Sequence, residues 1–304
     1  MRSFKTVFAL ALSASVVLYT NTALADVRIL TSIKPLELLV RAVATDDMHT
    51  STLVPAGASP HSYSITPSKR RALESADIIF WVGPEMETFL NRLLTGREFA
   101  NRSVALMKLD TENSPEDHEI NRNEHDHGEG EDPHIWVDPL RAIAMAESIR
   151  DALAQLEGAD KSALDRNLKT FRASIIQTQT HIQEHLEPLQ NVSLFAYHNA
   201  FTRFAKHYNL NVEAVLTLNP ELSPGARHIA DVQKRLSAAK HPCLLTEPQF
   251  NRQWWRSITE GLDITFSTWD PMATDIDTTA NGYAAFQQSI ADAALKCLPE
   301  NAQH

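Results

Sequence analysis

Three histidines of this chain stand where the backbone is locally restricted. His134 lies between two prolines in Asp132-Pro133-His134-Ile135-Trp136-Val137-Asp138-Pro139. His61 lies in Gly57-Ala58-Ser59-Pro60-His61-Ser62-Tyr63, and His198 in Phe195-Ala196-Tyr197-His198-Asn199. Proline fixes φ, so an imidazole beside it is held in few orientations. That suits a metal ligand better than a packing residue. Imidazole is a borderline donor that favours zinc, copper or nickel, and carboxylates shift the preference towards manganese. Three histidines with a carboxylate or water make a tetrahedral zinc site. Asp270 and Glu247, each followed by a proline, are the carboxylates in similar settings. Asp270, Glu247 and water are the candidates for the fourth ligand. A turn or cap role competes for Asp270, and a hydrogen bond to a ligand competes for Glu247. The separations among these residues form no motif by themselves.

The elements that must position them alternate in type. Strand patterns at 27–31, 50–54, 77–82 and 104–107 are interleaved with helical patterns at 35–43, from Thr66-Pro67, and from Gly83-Pro84. Proline directly after a capping threonine marks a helix start. Helices are predicted over 140–156 and 160–187. The second carries Leu164, Leu168, Phe171, Ile175, Ile182 and Leu186 at steps of three or four. It is long enough to cross a whole domain. Strands then recur at 193–197, 212–216, 243–247 and 264–269, with helices from Ser223-Pro224 to Lys240 and over 281–295. Such alternation predicts βαβ units and mainly parallel sheets. The fold class is therefore α/β, with two lobes flanked by helices and joined by a long, rigid backbone helix. The expected division is 26–158 for the first lobe, 159–189 for the linking helix and 190–304 for the second. His198, Glu247 and Asp270 each follow a strand of the second lobe, and His61 follows a strand of the first. Ligands of parallel sheets bind outside the carboxyl ends of the strands, which puts the site in the cleft between lobes. A continuous helix is a poor hinge, so the lobes are expected to move only slightly.

Residues 1–25 read as a signal peptide. Arg2 and Lys5 precede an apolar run from Val7 to Tyr19 that is too short to span a bilayer, and Ala23-Leu24-Ala25 is a small-residue cleavage signal. Its removal takes two basic residues and no acid, so the formal charge moves from −10 to −12. An acidic exported protein suits a cation and not nucleic acid. Cys243 and Cys297 are the only cysteines. Export permits a disulfide between them, which would add about 4 kcal/mol in the chain-entropy account. Two buried free thiols are the alternative.

Residues 111–132 interrupt the pattern. They hold His118, His125 and His127 among nine Asp and Glu residues and almost nothing apolar. The expectation is a mobile loop, serving either as a solvated linker or as a secondary capture site for metal. His181 and His185 are four apart on the long helix, a spacing compatible with a surface metal but equally with two solvated side chains.

Taken in order, Gly57-Ala58-Ser59-Pro60-His61-Ser62-Tyr63 followed by Thr66-Pro67-Ser68, then the Asp132–Pro139 stretch, Tyr197-His198-Asn199-Ala200-Phe201, Thr246-Glu247-Pro248-Gln249-Phe250 and Trp269-Asp270-Pro271-Met272 resemble the ZnuA-type zinc-binding proteins of bacterial ABC importers, within the TroA-like metal-binding group. The resemblance covers essentially the whole mature chain. It implies two α/β lobes with the metal between them, His61, His134 and His198 as ligands, and Asp270 as the fourth, since manganese and some zinc members use an aspartate in the matching Asp-Pro, with Glu247 or water as alternatives. Manganese-type relatives usually carry a glutamate where this chain has His198, so the resemblance implies Zn2+. Some zinc members place a glutamate just before the first histidine, and this chain departs from them with Pro60. The function implied is capture of Zn2+ in the periplasm and delivery to a membrane ABC permease by a monomer that does not itself span the membrane and is not an enzyme. A manganese or iron importer component and a periplasmic zinc hydrolase are the alternatives. Against the hydrolase, the chain has neither HExxH nor GxSxG.

Overall fold

Ile78-Ile79-Phe80-Trp81 and Cys243-Leu244-Leu245-Thr246 are buried along their whole length. Near-continuous apolar runs of this kind belong to interior strands of parallel sheets covered on both faces. In the computed structural model of the chain they are such strands. The structure describes residues 26–107, 132–217, 220, 224–250 and 253–299, so the segment carrying His118, His125 and His127 and the proposed signal peptide lie outside it.

The first sheet contains β1 (Val27–Thr31), β2 (Met48–Thr52), β3 (Ile78–Trp81) and β4 (Ser103–Ala105). The second contains β5 (Leu194–His198), β6 (Val212–Thr217), β7 (Cys243–Thr246) and β8 (Thr265–Thr268). Their orders are β2-β1-β3-β4 and β6-β5-β7-β8, parallel throughout. The two lobes thus repeat one topology. Helices α1 (Lys34–Val43), α2 (Pro67–Ser75) and α3 (Thr88–Leu94) flank the first sheet, and α6 (Thr202–His207), α7 (Ala226–Ala238) and α8 (Gln253–Thr259) belong to the second lobe. Between them run α4 (Pro139–Leu153) and α5 (Lys161–Leu186), and α9 (Gly282–Leu295) closes the chain. The 26 residues of α5 span about 39 Å. Its predicted stripe is the buried one: Leu164, Phe171, Ile175, Ile182 and Leu186 face inward, and Asp160 caps it by accepting from the Ala163 amide at 3.0 Å.

Two sequence expectations shift. The helix expected from Gly83-Pro84 begins only at Thr88, because the Glu87 carboxylate turns back to accept the Val82 and Gly83 amides at 3.2 and 3.0 Å. The second strand ends at Thr52, although Leu53 and Val54 still donate to Thr31 and Ser32 carbonyls. Helices α6 and α8 lie in stretches for which the pattern predicts no helix. The cysteines, expected as a disulfide or as free thiols, are joined: Cys243 at the start of β7 bonds Cys297 just beyond α9, with a Cα–Cα distance of 5.5 Å.

One hydrophobic core runs through both lobes. It takes in α1, α4, α5, β5 and α9, while smaller clusters fill the opposite face of each sheet. Although last in sequence, α9 packs on α5 and on α1 of the first lobe. Gly282 permits this approach, since a Cβ there would lie 2.6 Å from the Asp277 carbonyl oxygen and 2.8 Å from a Leu38 methyl. Alanine is the better helix former by about 1 kcal/mol, but such a clash costs about 1–3 kcal/mol. Gly282→Ala is therefore expected to lower the thermal unfolding midpoint. An unchanged or raised midpoint would mean that α9 is not tightly seated on the first lobe.

Candidate metal centre

His198 ends β5, one of the two interior strands of the second sheet, and Glu247 follows the end of the other, its parallel neighbour β7. Ala196 pairs with Leu245 in the register, so two residues on the strands deliver the two side chains together. Glu247 Oε1 lies 2.6 Å from His198 Nδ1, and both residues are buried. Burial pushes the Glu247 carboxyl up, against the pull of His198. The contact suits a carboxylate accepting the Nδ1–H proton, which leaves Nε2 with its lone pair free.

His134 precedes a single 3-10 turn, Ile135–Val137. Its Nδ1 lies 2.7 Å from Asp132 Oδ1, which also accepts the His134 backbone amide at 3.1 Å. Burial works to raise the Asp132 carboxyl, but the hydrogen bonds from His134 and the Arg203 guanidinium hold it below the usual range. Arg203, on α6, donates from Nε to the Asp132 carbonyl at 3.0 Å. The second histidine thus repeats the arrangement of the first, with Nδ1 on a carboxylate and Nε2 facing the cleft. Burial keeps the His134 pKa below the ordinary imidazole range despite Asp132.

His61 comes from the irregular segment between β2 and α2 and is half-buried. Its Nε2 is 3.3 Å from His134 Nε2, which is 3.1 Å from His198 Nε2. A tetrahedral ion with metal–nitrogen bonds of 2.0–2.1 Å would separate its donors by about 3.3–3.4 Å. The His61–His134 and His134–His198 pairs therefore stand near coordination spacing, and among the described residues the three histidines are the group able to hold a metal, their ligand atoms all within 4.8 Å of one another. Pro60, Trp136, Phe250, Pro271 and Met272 wall the pocket. Such apolar walls limit solvent screening and strengthen electrostatics inside.

Asp270 stands apart from this group. Its Oδ1 accepts from Gln249 Nε2 and from the Met272 amide at 2.9 Å, and its Oδ2 accepts the Thr274 amide at 2.7 Å. These bonds cap the turn after β8. His181 and His185 are exposed on α5, with His185 Nδ1 2.8 Å from the His181 carbonyl oxygen, and do not line the pocket. Sequence reasoning missed Asp132 as the partner of His134. An aspartate two residues before a restricted histidine, able to bond the following backbone amide, was the available signal. Arg203 carried none.

Burial, then the neighbouring His134 and His198, lower the His61 pKa from 6.5 to about 3. The unfolded chain takes up a proton near 6.5 and the folded metal-free protein does not. Below 6.5 this group therefore favours unfolding, increasingly so until the folded pKa is reached. The stability of the metal-free protein relative to a His61→Leu variant, which lacks the titration, should fall as pH drops from 6.5 towards 3. Urea unfolding of both at several pH values would check this, and a pH-independent difference would refute a buried neutral His61.

The family described as "Zinc-uptake complex component A periplasmic" matches residues 29–297. The high-affinity zinc uptake system protein ZnuA of Yersinia pestis is 33% identical over 308 residues, spanning 95% of this chain and 96% of the relative. Its namesake in Haemophilus ducreyi is 29% identical over 296 residues, spanning 92% and 96%. Among solved structures, a crystal structure of ZnuA is similar with a TM-score of 0.71 at 23% identity, covering 88% of this chain and 99% of that one. The SBP FpvC of Pseudomonas aeruginosa, in complex with Mn2+, gives a TM-score of 0.73 at 16% identity, covering 91% and 100%. At those identities the structures speak for the fold. The family's span of the chain and the one-third identity of a full-length relative establish that this chain belongs to the periplasmic zinc-uptake component A family.

Proposed function

We propose that this protein captures Zn2+ in the periplasm and delivers it to a membrane ABC permease. No helix among the described residues is long and apolar enough to cross a membrane, in keeping with a partner that supplies the membrane passage. The observation that carries the reading is the convergence of three Nε2 atoms at 3.1 and 3.3 Å, two of them on rings whose Nδ1 meets a carboxylate. His61, His134 and His198 are the protein ligands, and the fourth position belongs to water. Asp270 would have to release Gln249 and two backbone amides to reach the ion, so we assign it to the turn. Glu247 and Asp132 orient and strengthen His198 and His134 as donors. We propose His118, His125 and His127, outside the described residues, as a secondary capture segment for metal.

Binding to the neutral rings displaces protons from any that are charged. Native mass spectrometry of the metal-stripped mature protein, offered equimolar Zn2+ and Mn2+, is the direct test. One tightly retained zinc, lost in His198→Ala, is expected. Preferential manganese, or zinc retained without His198, would overturn the assignment. Glu247→Gln replaces the anionic acceptor on His198 with a neutral amide and should weaken zinc binding by roughly 10–100-fold in chelator competition.

A further inference from the structure

By chain order His134 comes before the linking helix, with the first lobe, yet the turn that carries it is held by residues from far down the chain. Trp136 Nε1 donates to the Pro271 carbonyl at 2.8 Å. The Tyr283 hydroxyl donates to the Trp136 carbonyl at 2.8 Å. Gln287 Nε2 donates to the Val137 carbonyl at 3.1 Å and to the Tyr283 hydroxyl at 2.9 Å. Tyr283 and Gln287 sit one helical turn apart on α9 and are both 0% exposed.

The directions of these bonds fix one another. The Trp136 and Val137 carbonyls can only accept, so Gln287 must turn its NH2 towards Val137, and Tyr283 must give its single proton to Trp136. The tyrosine oxygen then accepts the second amide hydrogen. In this arrangement the Asp138 carbonyl lies farther from the Tyr283 hydroxyl, at 3.5 Å, and the Gln287 side-chain oxygen takes no hydrogen bond; loss of a member strands further buried polar groups. Their neighbours Phe286, Ile290 and Ala291 on α9 are buried and apolar. These two polar residues bond the turn, and the Tyr283 ring also packs against Phe171 and Phe286. The turn in turn fixes the ligand: the Trp136 ring is 5.3 Å from the His134 ring, centroid to centroid, and His134 is the residue from which the turn starts.

We propose that Tyr283 and Gln287 are positioning residues for metal capture, holding the Ile135–Val137 turn so that His134 Nε2 meets that of His198. The inference rests on His134 being a metal ligand. The turn that carries His134 is thus held from α9 and from the segment after β8. His61 is the ligand supplied by the first lobe.

The test uses the full mature protein with Tyr283→Phe, which loses only the hydroxyl, and Gln287→Met, which keeps the length and loses both donors. Three quantities are read: the zinc dissociation rate into excess chelator, the visible d–d spectrum of the Co2+-loaded protein, and the unfolding midpoint of the metal-free protein. Each variant should release zinc about tenfold faster, the lower end of what loss of an orienting partner does to metal sites, and should show an altered Co2+ spectrum. The double variant should fall short of the product of the two effects, because the residues form one chain. Wild-type dissociation and an unchanged Co2+ spectrum, with only the midpoint lowered, would make the pair structural and overturn the proposal. Should Gln287→Met fail to fold, Tyr283→Phe decides alone. The ligand assignment is checked separately: His134→Ala with wild-type zinc retention would sink it, and this inference with it.

Discussion

Three ring nitrogens within 4.8 Å of one another, with His134 at 3.3 Å from His61 and 3.1 Å from His198, impose the constraint on which the structure depends. Rings this close cannot all be charged, and in a pocket walled by proline, tryptophan and phenylalanine a charged ring is costly even singly. The site therefore requires neutral imidazoles presenting lone pairs to one point. Where each proton sits is then a structural matter. On His134 and His198 it is drawn to Nδ1 by a carboxylate, and these two carboxylates must be held in their own right. Asp132 is fastened by the His134 amide and by Arg203, and Glu247 by its place at the end of a buried strand.

The repeated sheet topology explains where such a site can form. In β2-β1-β3-β4 and in β6-β5-β7-β8 the chain reverses direction of growth between the two interior strands, and crevices open at that point outside the strand ends. In the second lobe the crevice lies between β5 and β7, and His198 and Glu247 occupy it. In the first lobe the equivalent place between β1 and β3 is closed by the protein itself. The Ser32 hydroxyl and the Val82 and Gly83 amides all donate to Glu87, whose pKa burial pushes up to about 7. One lobe thus spends its crevice on an internal carboxylate and the other turns its crevice to the cleft. The first lobe contributes His61 from the loop beyond β2 instead.

Much of this was legible in the sequence, for reasons that mark its limits. Strand ends, proline-flanked histidines and the stripe of α5 are local signals, and each reads out within a few residues. The disulfide was open between two readings because no local pattern distinguishes paired from buried cysteines. Asp270 is expected as a ligand from the resemblance, while its place before a proline also describes a turn cap, and its bonds to Gln249 and to two backbone amides have a direction no pattern supplies. The hold of Tyr283 and Gln287 on the turn after His134 spans some 150 residues of sequence. In a helix otherwise composed for packing, a glutamine offers no hint of the carbonyl it will meet.

The last question is why this arrangement should select a metal when the fold does not. A fold by itself does not fix a ligand, so the preference must reside in the donors. Here two carboxylates stand one imidazole away from the centre and direct an oxygen to Nδ1. Under the proposed ligand set their charge would act on an ion through the rings, raising the basicity of the nitrogen donors without adding an oxygen to the coordination shell. Such a shell of nitrogens would favour Zn2+ over ions that prefer six oxygens. Exchanging a ring for a carboxylate would keep the nearby negative charge and lose that preference. The selectivity of the centre is thus a matter of which atom carries the charge to the metal, and it depends on the turn and strand ends that keep Asp132 and Glu247 on the far side of their histidines.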